Sequence, residues 1–365
     1  MPDFDAAVFG AGIAGTAIVN ELRKQGQSVL MVDPNVSEEA PGPPGALVNP
    51  ATGRRAKLTW QAKKCYDALR EQIKDICAVT GRKDLIAETG VIRPAISEDL
   101  AENFKDAFTK YDWPEGWIEW LEEKDIRGMN PHVAENHGGI HVKSGYTVFV
   151  DNYQNAYRTY LRLKGVECKY EAAHYKQDPK NNQFIIQFES GEQLTAGKVI
   201  MAIGYKIREN ADWDFLPLNF VKGQIVHFEA EKPLEWEHAI SARGYSIRRG
   251  ERELTVGSTY EHNFENLDTN EKSYDQILKK LDLMLPKLTG KVKKLAQMAG
   301  VRVTTQNRLP VIGEHPEISD MFVYTGMNSK GFLFSHYVGE LLADYILNGT
   351  DIPAELTVER FRNKH

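Results

Sequence analysis

Six residues near the N-terminus have the types and spacing of a phosphate cradle. Gly10-Ala11-Gly12-Ile13-Ala14-Gly15 is a GxGxxG run. In such a run the first glycine permits a tight turn and the second lets the backbone approach a pyrophosphate. The third lets a helix pack close to a sheet. The helix start that follows offers free N–H groups and a positive dipole end to phosphates. Asp33 lies 18 residues beyond Gly15, where an acid can accept hydrogen bonds from a ribose diol. The chemistry implied is dinucleotide binding. The run does not separate FAD from NAD.

The elements that must position these residues are legible around them. Phe4 to Phe9 reads as a short buried strand. A helix through Ile18, Val19 and Leu22 closes at Gly26, and Ser28 to Val32 reads as a second buried strand. A Pro/Gly-rich loop follows from Pro34 to Pro44. Three- and four-residue spacing predicts a helix from Ala62 to Cys77, ending at Gly81. Leu85 to Arg93 reads as strand and Leu100 to Tyr111 as helix. Trp113, Trp117 and Trp120 read as packing residues.

Tyr146 to Asp151 leads into a helix bearing Tyr153, Tyr157 and Leu161, and Phe184 to Phe188 with Leu194 reads as a hairpin. Val199 to Gly204 reads as a buried strand ending in glycine. Val221 to Val256 has an antiparallel pattern, and Asn270 to Leu285 is a helix stopped by Pro286. Val301 to Thr305 and Met321 to Gly326 read as strands, and a last helix runs from Gly331 to Leu347. This order predicts an α/β fold. A discontinuous Rossmann-type domain over 1–84, 144–218 and 305–365 is interleaved with an antiparallel-sheet α+β substrate domain over 85–143 and 219–304.

Charge and composition exclude other classes. The chain has 365 residues, with 45 Lys and Arg against 51 Asp and Glu, a net charge of −6. That balance argues against a protein whose main business is clamping nucleic acid. Two basic stretches qualify it: Arg54, Arg55, Lys57, Lys63 and Lys64, and Lys279, Lys280, Lys287, Lys291, Lys293 and Lys294. Both are expected at helical or loop positions as solvated faces, and could hold phosphates only if they converged on one mouth. Three cysteines with no CxxC and no zinc-ligand spacing predict no disulfide framework and no metal site, in a reducing, cytoplasmic setting. No stretch reaches the ~20 apolar residues of a membrane span. His141, His227 and His336 read as structural or surface residues.

Several separated segments, in order, resemble the D-amino-acid oxidase superfamily of FAD-dependent oxidoreductases, which includes glycine oxidase and sarcosine oxidase. They are the glycine run with Asp33; Gly45-Ala-Leu-Val-Asn-Pro50; Ala202-Ile-Gly204; Lys222-Gly-Gln-Ile225; Gly244-Tyr-Ser-Ile-Arg248; Gly257-Ser-Thr259; Gly300-Val-Arg302; Arg308-Leu-Pro-Val-Ile-Gly313; and Gly326-Met-Asn-Ser-Lys-Gly331. Within the family, Gly45-Ala-Leu-Val-Asn-Pro50 looks similar to the oxidoreductase half of the bifunctional bacterial enzyme that builds 5-methylaminomethyl-2-thiouridine in tRNA. So do Gly257-Ser-Thr-Tyr260 and Ser329-Lys-Gly331.

The resemblance implies FAD, held non-covalently. It places the nucleotide along Gly10, Ala11, Gly12, Ile13, Ala14 and Gly15, with Asp33 and Pro34 at the ribose and Ala173 near the adenine. It places Gly45, Ala46, Leu47, Val48 and Asn49 beside the flavin ring, with Ala202 and Gly204 nearby. Gly326, Asn328, Ser329, Lys330, Gly331 and Phe332 would cover the pyrimidine end, Lys330 stabilising negative charge there. Arg302 is implied as the residue that grips a substrate carboxylate, and Tyr245 as a substrate-side aromatic. Arg248 is a weaker candidate of the same kind. The implied reaction is oxidation of the C–N bond of a glycine-like or N-substituted amino acid, with hydride passing to flavin N5 and the imine then hydrolysing. The alternative implied substrate is a carboxymethylaminomethyl uridine in tRNA.

Overall fold

The computed structural model describes residues 1–34 and 45–361, so the Pro/Gly-rich loop lies beyond Pro34 outside the described residues. Among them run seven α-helices: α1 (Ile13–Lys24), α2 (Ala62–Thr80), α3 (Glu98–Lys110), α4 (Glu123–Met129), α5 (Val150–Leu163), α6 (Glu271–Met284) and α7 (Gly331–Asn348).

The first sheet joins Glu167–Lys169, Val29–Val32, Phe4–Phe9, Gln193–Met201 and Met321–Thr325, each parallel to its neighbour. Side chains alternate across a strand, and here both faces are buried. Ala6, Val8, Val29 and Met31 face the core shared with α1, α2, α5 and α7. Ala7, Phe9, Leu30 and Val32 face a second core with Phe184, Ile186, Trp213 and Phe361. The same sheet continues beyond Gln193–Met201 into the antiparallel strands Gln183–Phe188 and Ala173–Asp178.

The second sheet runs in the order Val292–Thr304, Asn219–Ala230, Glu253–Gly257, Tyr245–Arg248, Ala239–Ile240, Val91–Pro94, Gly139–Val142 and Ile118–Leu121. It is antiparallel except where Ala239–Ile240 meets Val91–Pro94. Helix α6 covers one part through Ile277, Leu281 and Met284. Helix α3 packs Ala101, Phe104 and Ala107 against another part. The fold is thus mixed α/β, with a dinucleotide-type parallel sheet and a separate, mostly antiparallel sheet fed by alternating stretches of chain.

Two expectations change, and the tryptophans pack as expected. The strand expected over Leu85 to Arg93 is split into Ile86–Ala87 and Val91–Pro94, because Gly90 turns at φ +75°. The strand expected at Val301 is the end of a 13-residue strand, Val292–Thr304, so Lys293 and Lys294 stand on a strand rather than on a helix or loop. Their polar run hides the two-residue alternation. Trp117 packs on Tyr66 with ring centroids 4.7 Å apart, and Trp113 and Trp120 pack against the α3 core.

Candidate active site

The glycine run makes a tight corner between Phe4–Phe9 and α1. Gly10 sits at φ +106°, and a Cβ on it would lie 2.3 Å from Ala202 O. A Cβ on Gly15 would lie 1.7 Å from Gly10 O, so neither position admits a side chain. Gly12 caps α1 with no side-chain hydrogen bond, and a Cβ there would meet nothing within 4 Å. The space in front of the helix N-terminus is open to a ligand, and an N-terminus of this kind favours an anion. Asp33 Oδ2 accepts from Ala11 N–H at 2.6 Å, which places its carboxylate at the rim of the same corner.

This corner opens into a cavity of about 2450 Å³ whose walls come from both sheets. Gly10, Gly12, Ile13, Ala14, Asp33, Pro34, Gly45, Ala46, Leu47, Asn49, Ala173, Ala202 and Gly204 line it. So do Gly326, Asn328, Ser329, Lys330, Gly331, Phe332, Tyr245 and Arg302. Three of the cofactor candidates do not. Ala11 and Gly15 shape the corner from behind, and Val48 turns into the helical core as the alternation of Ala46–Val48 requires.

At the substrate end, Arg302 projects from Val292–Thr304 over the neighbouring strand. A Cβ on Gly223 would lie 2.3 Å from Arg302 Nη1, so that glycine makes room for the guanidinium. Arg302 Nη1 donates to Thr259 O at 3.4 Å, and Nη2 donates to Ser258 Oγ. Its Cζ stands 4.8 Å from the Tyr260 ring centroid, a cation–π distance. Among the described residues no carboxylate forms an ion pair with it. A half-buried guanidinium without an acid is an anion site in waiting.

The groups around Arg302 are themselves held. Glu261 accepts from Gln224 Nε2 at 2.9 Å, Thr259 Oγ1 at 3.1 Å and Ser273 Oγ at 3.2 Å. Lys280 Nζ donates to Ser258 O at 2.7 Å. Burial, with Arg302 nearby, pulls the Lys280 ammonium below its ordinary range. Burial pushes the Tyr245 hydroxyl up to about 12, against the opposing pull of Arg302. Arg248 faces elsewhere: its Nε and Nη1 donate to the carbonyls of Gly250 and Trp236.

Lys330 precedes α7 as its N-cap, next to the turn in which Asn328 N–H donates to Val303 O at 2.9 Å. That bond ties the turn to the strand carrying Arg302. Burial first, then repulsion from Arg308 and Lys57, pulls the Lys330 ammonium down to about 8.

Several lining residues were not singled out from sequence: Ser258, Tyr260, Arg93 and Arg308. The first two stand in the Gly257-Ser-Thr-Tyr260 segment. Arg93 carries no local signal, because its partners are carbonyls some 40 residues earlier in the chain.

The glycine corner, the acid at its rim and the two-sheet cavity define a class, and the sequence agrees: over residues 5–345 it matches the family described as FAD dependent oxidoreductase. The chain belongs to that family, and it is an oxidoreductase of that class. It is 24% identical to the glycine oxidase of Geobacillus kaustophilus, over 94% of this chain and 93% of that one. The crystal structure of that species' glycine oxidase superposes with a TM-score of 0.82 at 20% identity, covering 100% of both chains. The chain is also 26% identical to the tRNA 5-methylaminomethyl-2-thiouridine biosynthesis bifunctional protein of Thiobacillus denitrificans, over 97% of this chain. It spans 58% of that protein's length.

Proposed function

We propose that the protein oxidises the C–N bond of a glycine-like or N-substituted amino acid, using non-covalently bound FAD. The observation that carries this reading is Arg302, a guanidinium lining the cavity with no acid paired to it among the described residues. The cavity fits the cofactor: Gly12 leaves the α1 N-terminus open, Asp33 stands at the rim, and none of the three cysteines lines the wall. When bound, FAD supplies a two-electron acceptor for the hydride that leaves the substrate carbon.

The chain's own residues do the rest. Arg302 grips the carboxylate bidentately, which fixes the carbon next to nitrogen against the acceptor. Ser258 and Thr259 hold the guanidinium from behind. The Tyr245 hydroxyl stays protonated at neutral pH and can donate to the same carboxylate. Lys330, at the start of α7, offsets negative charge on the acceptor side. The amine binds deprotonated, the C–H leaves as hydride, and water hydrolyses the resulting imine to a carbonyl compound and an amine. All three cysteines are free, which suits a cytoplasmic setting.

An anaerobic flavin-bleaching screen tests the reading with glycine, sarcosine, proline, D-amino acids and hypomodified tRNA. Bleaching by a carboxylate-bearing amine supports it. Purified protein that is colourless and takes up no FAD contradicts it. A second reading shares the reaction but takes a carboxymethylaminomethyl uridine in tRNA, a group that is itself an N-substituted glycine. The similarity to the bifunctional tRNA protein favours it. Salt-sensitive tRNA binding is its signature, and small-amine turnover with no tRNA affinity at low salt excludes it.

A further inference from the structure

The cavity wall has a charge balance unlike the rest of the chain. Ten Lys and Arg residues line it against three acids, although acids outnumber bases in the sequence. The three acids are Asp33, after Val29–Val32, and Glu209 and Asp212, in the turns after Gln193–Met201. They share the nucleotide end with Arg158 and Lys206. Among the described residues, none of the other eight cations is in an ion pair. Arg302 is one of the eight, and a single substrate carboxylate answers it alone.

Four of the others belong to one assembly. Arg54, Arg55 and Lys57 ride on the hairpin formed by Ala51–Thr52 and Lys57–Leu58. Arg93 clamps that hairpin: Nη1 donates to Ala51 O at 2.8 Å and Nη2 to Gly53 O at 2.7 Å. Arg93 is 7% exposed, lines the cavity, and its Nε has no hydrogen-bond partner among the described residues. Its guanidinium lies 4.8 Å from the Phe104 ring centroid, and Ala51 and Ala56 pack into the same cluster as Phe104. The hairpin backbone that carries the three cations is therefore held at the cavity wall before any ligand arrives. Arg54, Arg55 and Lys57 are exposed and solvated, whereas a buried guanidinium with no counterion is costly, and an anion beside Arg93 offsets that cost.

We propose that Arg93 and the hairpin cations Arg54, Arg55 and Lys57 form a second anion site, which takes a carboxylate or phosphate on the nitrogen substituent of a small amino-acid substrate. This rests on the reading of Arg302 as the site of the first carboxylate. A small substrate is favoured over a nucleic acid because Arg93, the centre of the group, is buried in the cavity wall where a polymer backbone does not reach. The second basic stretch does not line the cavity, and three of its six lysines are engaged: Lys280 is bound to Ser258 O, Lys287 Nζ to Pro131 O at 2.8 Å, and Lys294 lies 3.5 Å from Glu271.

The test compares half-saturation of anaerobic flavin bleaching by N-ethylglycine, N-(2-carboxyethyl)glycine and N-(2-phosphonoethyl)glycine. It uses the wild-type holoenzyme and the Arg54→Gln/Arg55→Gln double variant. The expected result is a preference of roughly tenfold or more for an acidic probe over N-ethylglycine in the wild type, about 1.4 kcal/mol. That ratio should fall toward one in the double variant, and the carboxylate and phosphonate arms show which group the site takes. Bleaching by N-ethylglycine with no acidic preference, or a preference the double variant keeps, overturns this inference and leaves the reading of Arg302 standing. Bleaching by none of the three overturns both. Turnover confined to an RNA-borne substrate overturns the small-molecule site.

Discussion

Arg302 is where the chemistry can be tested one side chain at a time. Arg302→Ala should raise the half-saturating substrate concentration roughly 100-fold, about 2.7 kcal/mol, while flavin absorbance per protein stays near wild type. Arg302→Lys should recover only part of the loss, since a point charge cannot reproduce a planar fork. Lys330 makes a pH prediction. Its ammonium is held at about 8, so it is cationic below that pH and neutral above it. Its support for a reduced, negatively charged acceptor should fade as pH rises through about 8. Flavin potentials measured against pH check this, and Lys330→Met should remove that inflection. At this scale legibility was uneven. Arg302 stood in a short motif beside glycines, whereas Arg93 acts through carbonyls brought to it by packing, so no local pattern marks it.

At the scale of elements, two glycines carry predictions of different kinds. Gly223→Ala puts a methyl where the Arg302 guanidinium lies, so substrate affinity should fall about as in Arg302→Ala with flavin retained and melting little changed. Gly15→Val collides with the backbone of Gly10, so the protein should purify without flavin. Helix α7 has its own signature. His336 lies buried with Nε2 2.8 Å from Tyr153 Oη of α5, and burial pulls its imidazole down to about 3. In the unfolded chain it binds a proton near 6.5, so this contribution to stability is present above 6.5 and fades as pH falls toward about 3. Urea midpoints between pH 7 and pH 4 should show that loss, and His336→Gln should show less of it. The strand–turn–helix–strand opening was legible because its alternation and glycines are local. The strand Val292–Thr304 was half missed because its first residues are polar on both faces near an exposed edge.

Across the whole molecule, the net charge of −6 conceals an uneven distribution: ten Lys and Arg against three acids line the cavity. The sequence showed the sum and the two basic stretches, but which stretch reaches the cavity depended on the hairpin's fold. No helix among the described residues is long and apolar enough to cross a membrane. Because the cavity draws walls from both sheets, bound FAD should stabilise the entire chain. Loading should raise Tm and leave one cooperative transition, as expected for a ligand that binds the folded state alone.

The most direct measurement is anaerobic titration of the flavin-loaded wild type and Arg302→Ala with N-substituted glycines. The account predicts that the wild type bleaches with saturation and that the variant, still yellow, requires roughly 100-fold more substrate. Equal half-saturation in the two proteins, or loss of flavin from the variant with an unchanged substrate response, would contradict it.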